Sequence, residues 1–169
     1  QPLRSQNCEL IVVDGGSHDS SVALARPLAD TVIISPPGRA TQMNTGAQCA
    51  RGAILWFLHV DSLPPPKAAE LIRVALAHPQ HNWGRFDVRL SGSQPLLRCV
   101  ETLMNVRSQL TGIATGDQGI FVQRSLFEKI GGYPPLALME DIALSRTLKR
   151  HSRPACLHQR LLTSSRRWE

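Results

Sequence analysis

The most constraining feature of this sequence is the alternation of short apolar runs with helix-like segments. The apolar runs cover residues 10–13, 31–35 and 53–58, and each ends abruptly in polar, glycine or proline residues; the first of them is β-branched in three of its four residues. Helical patterns follow them, from about Ser20 and over residues 39–51 and 68–75. This order predicts right-handed β-α-β crossovers and therefore an α/β fold, with an open, mostly parallel sheet and helices on both faces.

The second half of the chain continues the pattern with less regularity. Residues 83–90 alternate in polarity, which predicts a half-exposed strand in a mixed part of the sheet. Further helices are predicted around residues 97–104 and 139–150, and a short strand over residues 119–123. The sequence has no internal repeat and no long linker, so residues 1–169 are predicted to form a single domain.

Charge and composition narrow the classes of function. Nineteen Lys and Arg residues against thirteen Asp and Glu residues give a net charge of +6, which suits a phosphate-bearing ligand, an anionic membrane face or nucleic acid. The cations are scattered and are not interleaved with aromatic residues, so we predict no nucleic-acid partner. The four cysteines form no C-x-x-C pair, which indicates reduced, buried thiols in a cytoplasmic protein. No segment approaches the roughly 18 consecutive apolar residues of a membrane helix.

Two aspartates lie at the carboxyl ends of predicted strands, Asp14 directly after residues 10–13 and Asp61 three residues after the run at 53–58. Because ligands of open α/β sheets bind beyond the carboxyl ends of the strands, Asp14 and Asp61 together predict one site. Gly15 and Gly16 allow a ligand to approach the backbone closely, and Asp14 can accept hydrogen bonds from a base or a ribose. A tight turn followed by a helix cap explains this loop equally well.

Asp61 offers one hard oxygen ligand at the end of its strand. Mg²⁺ and Mn²⁺ accept one or two carboxylates when a substrate diphosphate and water supply the other ligands. A turn before the prolines at residues 64–66 is the structural alternative for Asp61. His59 is a second candidate ligand, although a packed, hydrogen-bonded histidine is the more common interpretation.

Glu140 and Asp141 open a predicted helix, where the helix dipole stabilises carboxylates by about 0.3–1 kcal/mol. The functional interpretation makes Asp141 a general base, with Glu140 and burial raising its pKa towards that task.

Three arginines and a tryptophan complete the set of candidate site residues. Arg39, Arg166 and Arg167 suit a diphosphate, and Trp168 could stack on a sugar or base, although a basic surface tail is an equal alternative.

In their order along the chain, these motifs resemble glycosyltransferase family 2. The matching segments are Val-Asp-Gly-Gly-Ser-x-Asp at 13–19, Gly-Arg-Ala-x-Gln-Met-Asn-x-Gly-Ala at 38–47, Phe-Leu-His-x-Asp at 57–61, Gly-Asp-Gln at 116–118, Met-Glu-Asp at 139–141 and Arg-Arg-Trp at 166–168. The sequence looks most similar to a bacterial subgroup of radical-SAM/selenodomain-associated transferases. The likeness extends over residues 10–168.

The resemblance implies a GT-A fold that binds a nucleoside-diphosphate sugar and a divalent metal, Mn²⁺ or Mg²⁺. It implies that Asp14 contacts the nucleoside, that Asp61 is the metal-binding acid, and that Asp141 is the catalytic base of an inverting reaction. Arg167 and Trp168 match the end of the family's Q-x-x-R-W element. The acceptor side would be formed by Gly116, Asp117, Gln118 and Glu140.

Three positions depart from the family pattern: Gly15 stands where many members have a second acid, His59 where the D-x-D element has its first acid, and Ser164 where Q-x-x-R-W has its glutamine. A catalytically weak nucleotide-sugar-binding or partner-binding module is therefore the alternative function.

The family's first strand-helix unit is not found in the sequence, so we expect the chain to be incomplete at its N-terminus and the sheet to expose an edge or borrow a partner. A lipid-linked acceptor would bring the domain to the inner face of a membrane.

Overall fold

The computed structural model describes residues 7–165, so the predictions for Arg166, Arg167 and Trp168 lie outside the described residues. The strands are β1 (Ile11–Asp14), β2 (Thr31–Ile34), β3 (Ile54–Trp56), β4 (Trp83–Leu90), β5 (Phe121–Gln123) and β6 (Ala155–Thr163). The helices are α1 (Ser21–Ala25), α2 (Arg39–Cys49), α3 (Ala68–Ala77), α4 (Pro95–Thr111), α5 (Arg124–Lys129) and α6 (Glu140–Leu148).

The described strands form two hydrogen-bonded sheets. β1 pairs with β2 in parallel, and a second sheet has the order β3-β5-β4-β6. β5 runs antiparallel to both of its neighbours, whereas β6 runs parallel to β4. The α/β fold class is confirmed, but the strand directions are more mixed than the predicted mostly parallel sheet. The direction of β5 depends on how α4 and the loop after it return the chain, which no local pattern encodes.

The burial of β4 differs from its prediction. We expected a half-exposed strand, yet Trp83, Arg85, Phe86 and Val88 are buried. β5 and β6 flank β4 on its two edges and helices cover both faces, so Arg85 is enclosed, while Asp87 is partly exposed and only Arg89 is fully exposed among the polar positions. The buried guanidinium of Arg85 donates a hydrogen bond to Asp87, and the negative charge of this carboxylate compensates the positive charge of Arg85. Strand β6 and helix α5 were not predicted.

Helices pack on both faces of the larger sheet, as predicted. On one face, α2 and α6 enclose a core that contains Leu55, Phe57 and Val122. On the other face, α3 packs against a core that contains Phe86 and Phe121. Because neighbouring residues of β5 enter opposite cores, this strand is covered on both sides.

Helix α2 joins the two sheets. Ala40 and Met43 pack in the core that contains Leu55 of β3. On the β1 side, a Cβ on Gly46 would lie 3.1 Å from a methyl group of Val13, so helix and strand are in close contact. The helix therefore sets the position of the loop after β1 relative to the loop after β3.

All four cysteines are free thiols, but the prediction that they are buried is wrong, since two are exposed and the other two, Cys8 and Cys156, are only partly buried. Cys49 and Cys99 are exposed because they lie on the solvent-facing sides of α2 and α4. Burial raises the pKa of the partly enclosed Cys8 and Cys156 thiols. Among residues 7–165, no helix combines the length and apolar character needed to cross a bilayer.

Candidate functional site

The loop after β1 is organised by the carboxylate at the end of that strand. Asp14 Oδ2 accepts hydrogen bonds from the backbone amides of Gly16 and Ser17, and Oδ1 accepts one from the Ser17 hydroxyl at 2.6 Å. The Ser17 hydrogen bonds hold the pKa of Asp14 below its usual value, against a small opposing effect of desolvation. Gly16 has φ +93°, which favours glycine. Asp14 therefore shapes the predicted nucleotide loop from within.

Gln42 of α2 supports the same loop from outside. Its side-chain amide donates a hydrogen bond to the carbonyl of Val13 at 3.1 Å, and a Cβ at Gly15 would lie 3.1–3.2 Å from the Gln42 side chain. A larger residue at position 15 would therefore press on Gln42. The sequence placed Gln42 inside a recognisable motif but did not predict this contact. The only feature of the sequence that hinted at this contact was the side-chain amide of Gln42 among the small residues of α2.

The first turn of α2 also contacts the acidic pair, Glu140 and Asp141, that begins α6, through Glu140. Arg39 Nη1 lies 3.9 Å from Oε1 of Glu140, whose side chain is almost fully buried. One turn further along α2, Asn44 donates a hydrogen bond to the carbonyl of Tyr133 and accepts one from its amide, both at 2.9 Å. Helix α2 thus contacts both the nucleotide loop and the segment that leads to Asp141.

Asp141 is held by two backbone amides. Its Oδ2 accepts a hydrogen bond from Gly116 at 2.6 Å, and its Oδ1 accepts one from Ile142 at 2.7 Å. Ser145 fixes the same junction, because its hydroxyl accepts a hydrogen bond from the amide of Ala114 and donates to the carbonyl of Ala114. Each carboxylate oxygen has a second lone pair, so Asp141 retains the capacity to accept a proton from a ligand.

Tyr133 lies close to the acidic pair. Burial raises the pKa of its phenol strongly, and the negative charges of Asp141 and Glu140 raise it further. The phenol is therefore neutral at physiological pH and adds no charge to the site. Its ring packs edge-on against Phe57 at a centroid distance of 5.0 Å, which joins the loop before α6 to the core beneath it.

His59, in the loop after β3, packs against the loop that leads from α4 to β5. Its Nδ1 lies 3.4 Å from Asp117 Oδ1, and a Cβ on Gly116 would lie 2.5 Å from its Nε2. Only glycine therefore fits at position 116 with the ring in this place. The geometry agrees with a packed histidine, and its role as a metal ligand stays a prediction. Gln118 is fully buried, and its side-chain oxygen accepts a hydrogen bond from the Thr115 amide.

Asp61 lies exposed in the turn after β3. Within residues 7–165 it forms no hydrogen bond or ion pair, and no group of three or more His, Cys, Asp and Glu side chains there could hold a metal ion. A single unengaged carboxylate fits a cation that takes most of its ligands from a diphosphate and water. The described part of the chain, residues 7–165, therefore holds no complete metal site made by its own side chains.

Solved structures define the class of fold to which this arrangement belongs. The chain is similar to a mannosyltransferase from Pyrobaculum calidifontis, PcManGT, solved with GDP-Man and Mn²⁺: 21% identity, TM-score 0.63, covering 91% of this chain and 47% of that one. It is also similar to a TarS fragment from S. aureus, at 13% identity and TM-score 0.72, covering 93% of this chain and 51% of that one. These structures show the GT-A glycosyltransferase fold.

The sequence comparison gives the family. The profile of glycosyl transferase family 2 matches residues 1–130, and the chain belongs to that family. No curated protein sequence matches the chain. The chain spans about half the length of the solved structures to which it is similar.

Proposed function

We propose that this domain transfers a sugar from a nucleoside-diphosphate sugar to an acceptor hydroxyl, with metal assistance and inversion at the anomeric carbon. Membership of glycosyl transferase family 2 supports glycosyl transfer. PcManGT was solved with GDP-Man and Mn²⁺, and TarS with UDP-GlcNAc. By extension, the donor of this domain is a nucleotide sugar and its metal is Mn²⁺ or Mg²⁺. Membership of the radical-SAM-associated subgroup stays a prediction.

The observation that carries the proposal is the position of α2. Gln42 contacts the loop of Asp14, and Arg39, one turn earlier, reaches Glu140 beside Asp141. A ligand that spans the nucleotide loop and the acidic pair therefore lies along the first turn of one rigid helix. The positive end of the helix dipole and the Arg39 guanidinium both favour a diphosphate there.

The chain's own residues supply binding and proton transfer in this proposal. Asp14, Gly15 and Gly16 bind the nucleoside, and Asp61 holds the metal together with the donor diphosphate. When bound, the metal neutralises charge on the departing diphosphate. Asp141 accepts the proton of the acceptor hydroxyl, while the Gly116 amide fixes the orientation of its carboxylate. Arg167 and Trp168 are proposed as further donor contacts.

The acceptor side is proposed to comprise Gly116, Asp117, Gln118 and Glu140. The loops that carry the two acids expose apolar side chains: Val60 and Leu63 beside Asp61, and Leu138 and Met139 beside Asp141. An apolar rim favours an acceptor that carries an apolar group, such as a lipid-linked one. The proposed location is accordingly cytoplasmic, at the inner face of the membrane.

The decisive experiment combines donor binding with turnover. UDP-, GDP-, CDP- and dTDP-sugars are each added with Mn²⁺, Mg²⁺ or EDTA, and the melting temperature is measured. We expect a metal-dependent rise for one nucleotide, followed by release of that nucleoside diphosphate when an acceptor panel is supplied. A folded chain that shifts with no donor contradicts the proposal. Donor binding without transfer or hydrolysis would identify a binding module.

A further inference from the structure

Helix α4 is apolar on two opposite faces. Its inner face packs on β4, where Leu97 joins Val88 and Leu90 in a small core. Its outer face exposes large apolar side chains, with Leu96 and Leu103 each 69% exposed and Leu110 81% exposed. Val106 and Cys99 are exposed on the same side. These five residues, Leu96, Cys99, Leu103, Val106 and Leu110, are called the outer seam below.

The outer seam is continuous. At 3.6 residues per turn its members lie within an arc of about 80° and extend about 21 Å along the helix. Asn105 lies on the sheet-facing side, where its amide oxygen accepts a hydrogen bond from Val88 at 2.8 Å, so the seam points away from the protein. A contiguous exposed apolar patch of this kind marks a surface that interacts with another protein or with a membrane. The seam therefore needs a second apolar surface.

The charges around the seam indicate what that surface is. The single acid of α4, Glu101, is buried and paired with Arg98 and Arg160. Arg107 is exposed one position beyond Val106. At the end of the helix, the ammonium of Lys149 donates a hydrogen bond to the carbonyl of Thr111 at 2.8 Å. The seam is thus bordered by cations, with no exposed acid on its own helix.

We propose that the outer seam of α4 docks on the surface of an anionic lipid bilayer. The leucines enter the boundary between headgroups and acyl chains, while Arg107 and Lys149 contact headgroup phosphates. The spacing of the seam would also suit pairing with α4 of a second copy. Two chains of net charge +6 repel each other, however, whereas an anionic surface attracts each of them.

Docking through α4 places the candidate site close to the bilayer. Gly112 ends the helix, and Gly116, whose amide binds Asp141, lies five positions after Thr111. That segment spans at most about 17 Å. An acceptor held in the bilayer would therefore lie within reach of the site. The docking itself does not depend on the proposed function, because it is measured without donor or acceptor.

Vesicle flotation of the full chain tests this inference. Vesicles of phosphatidylcholine alone are compared with equimolar phosphatidylcholine and phosphatidylglycerol, at low and high salt. We expect salt-sensitive binding to the anionic vesicles and at least a tenfold loss of binding in a variant with both Leu103→Ser and Leu110→Ser. The matched control is Val74→Ser on α3, because Val74 is also 69% exposed on a helix surface. These exposed positions leave folding intact, which circular dichroism verifies.

Three results would overturn the inference. One is no binding to either vesicle by the folded chain. Another is binding that the double substitution leaves unchanged, which would mean that cations alone carry it. The last is a dimer in vesicle-free solution, seen by sedimentation velocity and dissociated by the same double substitution, which would make a second copy the partner. In every case, donor-induced thermal shifts without vesicles report separately on the proposed function.

Discussion

The backbone amide of Gly116 donates a hydrogen bond of 2.6 Å to Asp141 Oδ2. The same glycine lies against the ring of His59, where a Cβ would approach Nε2 to 2.5 Å. One residue therefore joins the loop after β3, the loop after α4 and the start of α6. This junction brings His59, two residues before the proposed metal ligand Asp61, next to the proposed base Asp141.

We expect Asp141→Asn to lower turnover by about 10²–10⁴-fold, because the amide cannot take a proton from the acceptor hydroxyl. The donor-induced thermal shift should persist. Steady-state kinetics with an identified acceptor make the measurement. Ser145→Ala is the structural control, since it loosens the same junction without altering the carboxylate. Similar losses of turnover in both variants would mean that Asp141 acts through structure alone.

Asp61→Ala should remove the metal-dependent part of the donor-induced rise in melting temperature and leave the part that persists in EDTA. The reason is that Asp61 is the carboxylate proposed to share the cation with the diphosphate. Glu70→Ala, an exposed acid on α3, is the matched control and should change neither part. A full metal-dependent shift in Asp61→Ala would exclude Asp61 as the ligand.

Gly116→Ala should displace the ring of His59 and reduce turnover at least about tenfold, since misplacement of a site by about 1 Å is costly. Donor binding should change little. Adding His59→Ala restores the space, so the double variant should recover much of the turnover if His59 only packs. If His59 instead binds metal, the double variant should be worse than Gly116→Ala.

The acid-base behaviour of Asp14 gives a prediction about the nucleotide loop. Its pKa is lowered chiefly by the Ser17 hydroxyl, so Ser17→Ala should move the pKa back towards 3.8. Because the folded-state pKa is depressed, these hydrogen bonds stabilise the protein above the unfolded value of 3.8, and the effect is lost as pH falls through the folded pKa. A carboxyl ¹³C NMR titration measures the shift. Ser20→Ala should leave it unchanged.

Asn44→Ala should lower the free energy of unfolding by about 1–3 kcal/mol, because it removes two hydrogen bonds to the backbone of Tyr133 and leaves those groups unpaired. Urea denaturation provides the measurement. Gln48→Ala, on the exposed side of the same helix, should stay within about 0.5 kcal/mol of the parent. Equal effects at the two positions would contradict a structural role for Asn44.

Much of the fold was predictable because its signals are local. Strands β1, β2 and β3 follow from short apolar runs and from the residues that end them, and helices α2 and α6 follow from their periodicity. Strand β6 escaped prediction because its polar centre hides the apolar pattern. Its pairing with β4 over Gly84–Leu90 joins segments about 70 residues apart.

Part of the candidate site was likewise predictable from local sequence, and part of it was not. The sequence alone determined that Asp14 and Asp61 lie at the carboxyl ends of strands and that Glu140 and Asp141 open a helix, because strand ends and helix starts depend on neighbouring residues. Only the tertiary structure decided that α2 reaches both the nucleotide loop and the acidic pair, and that Gly116 joins His59 to Asp141. Such contacts depend on packing between distant segments, which no local spacing specifies.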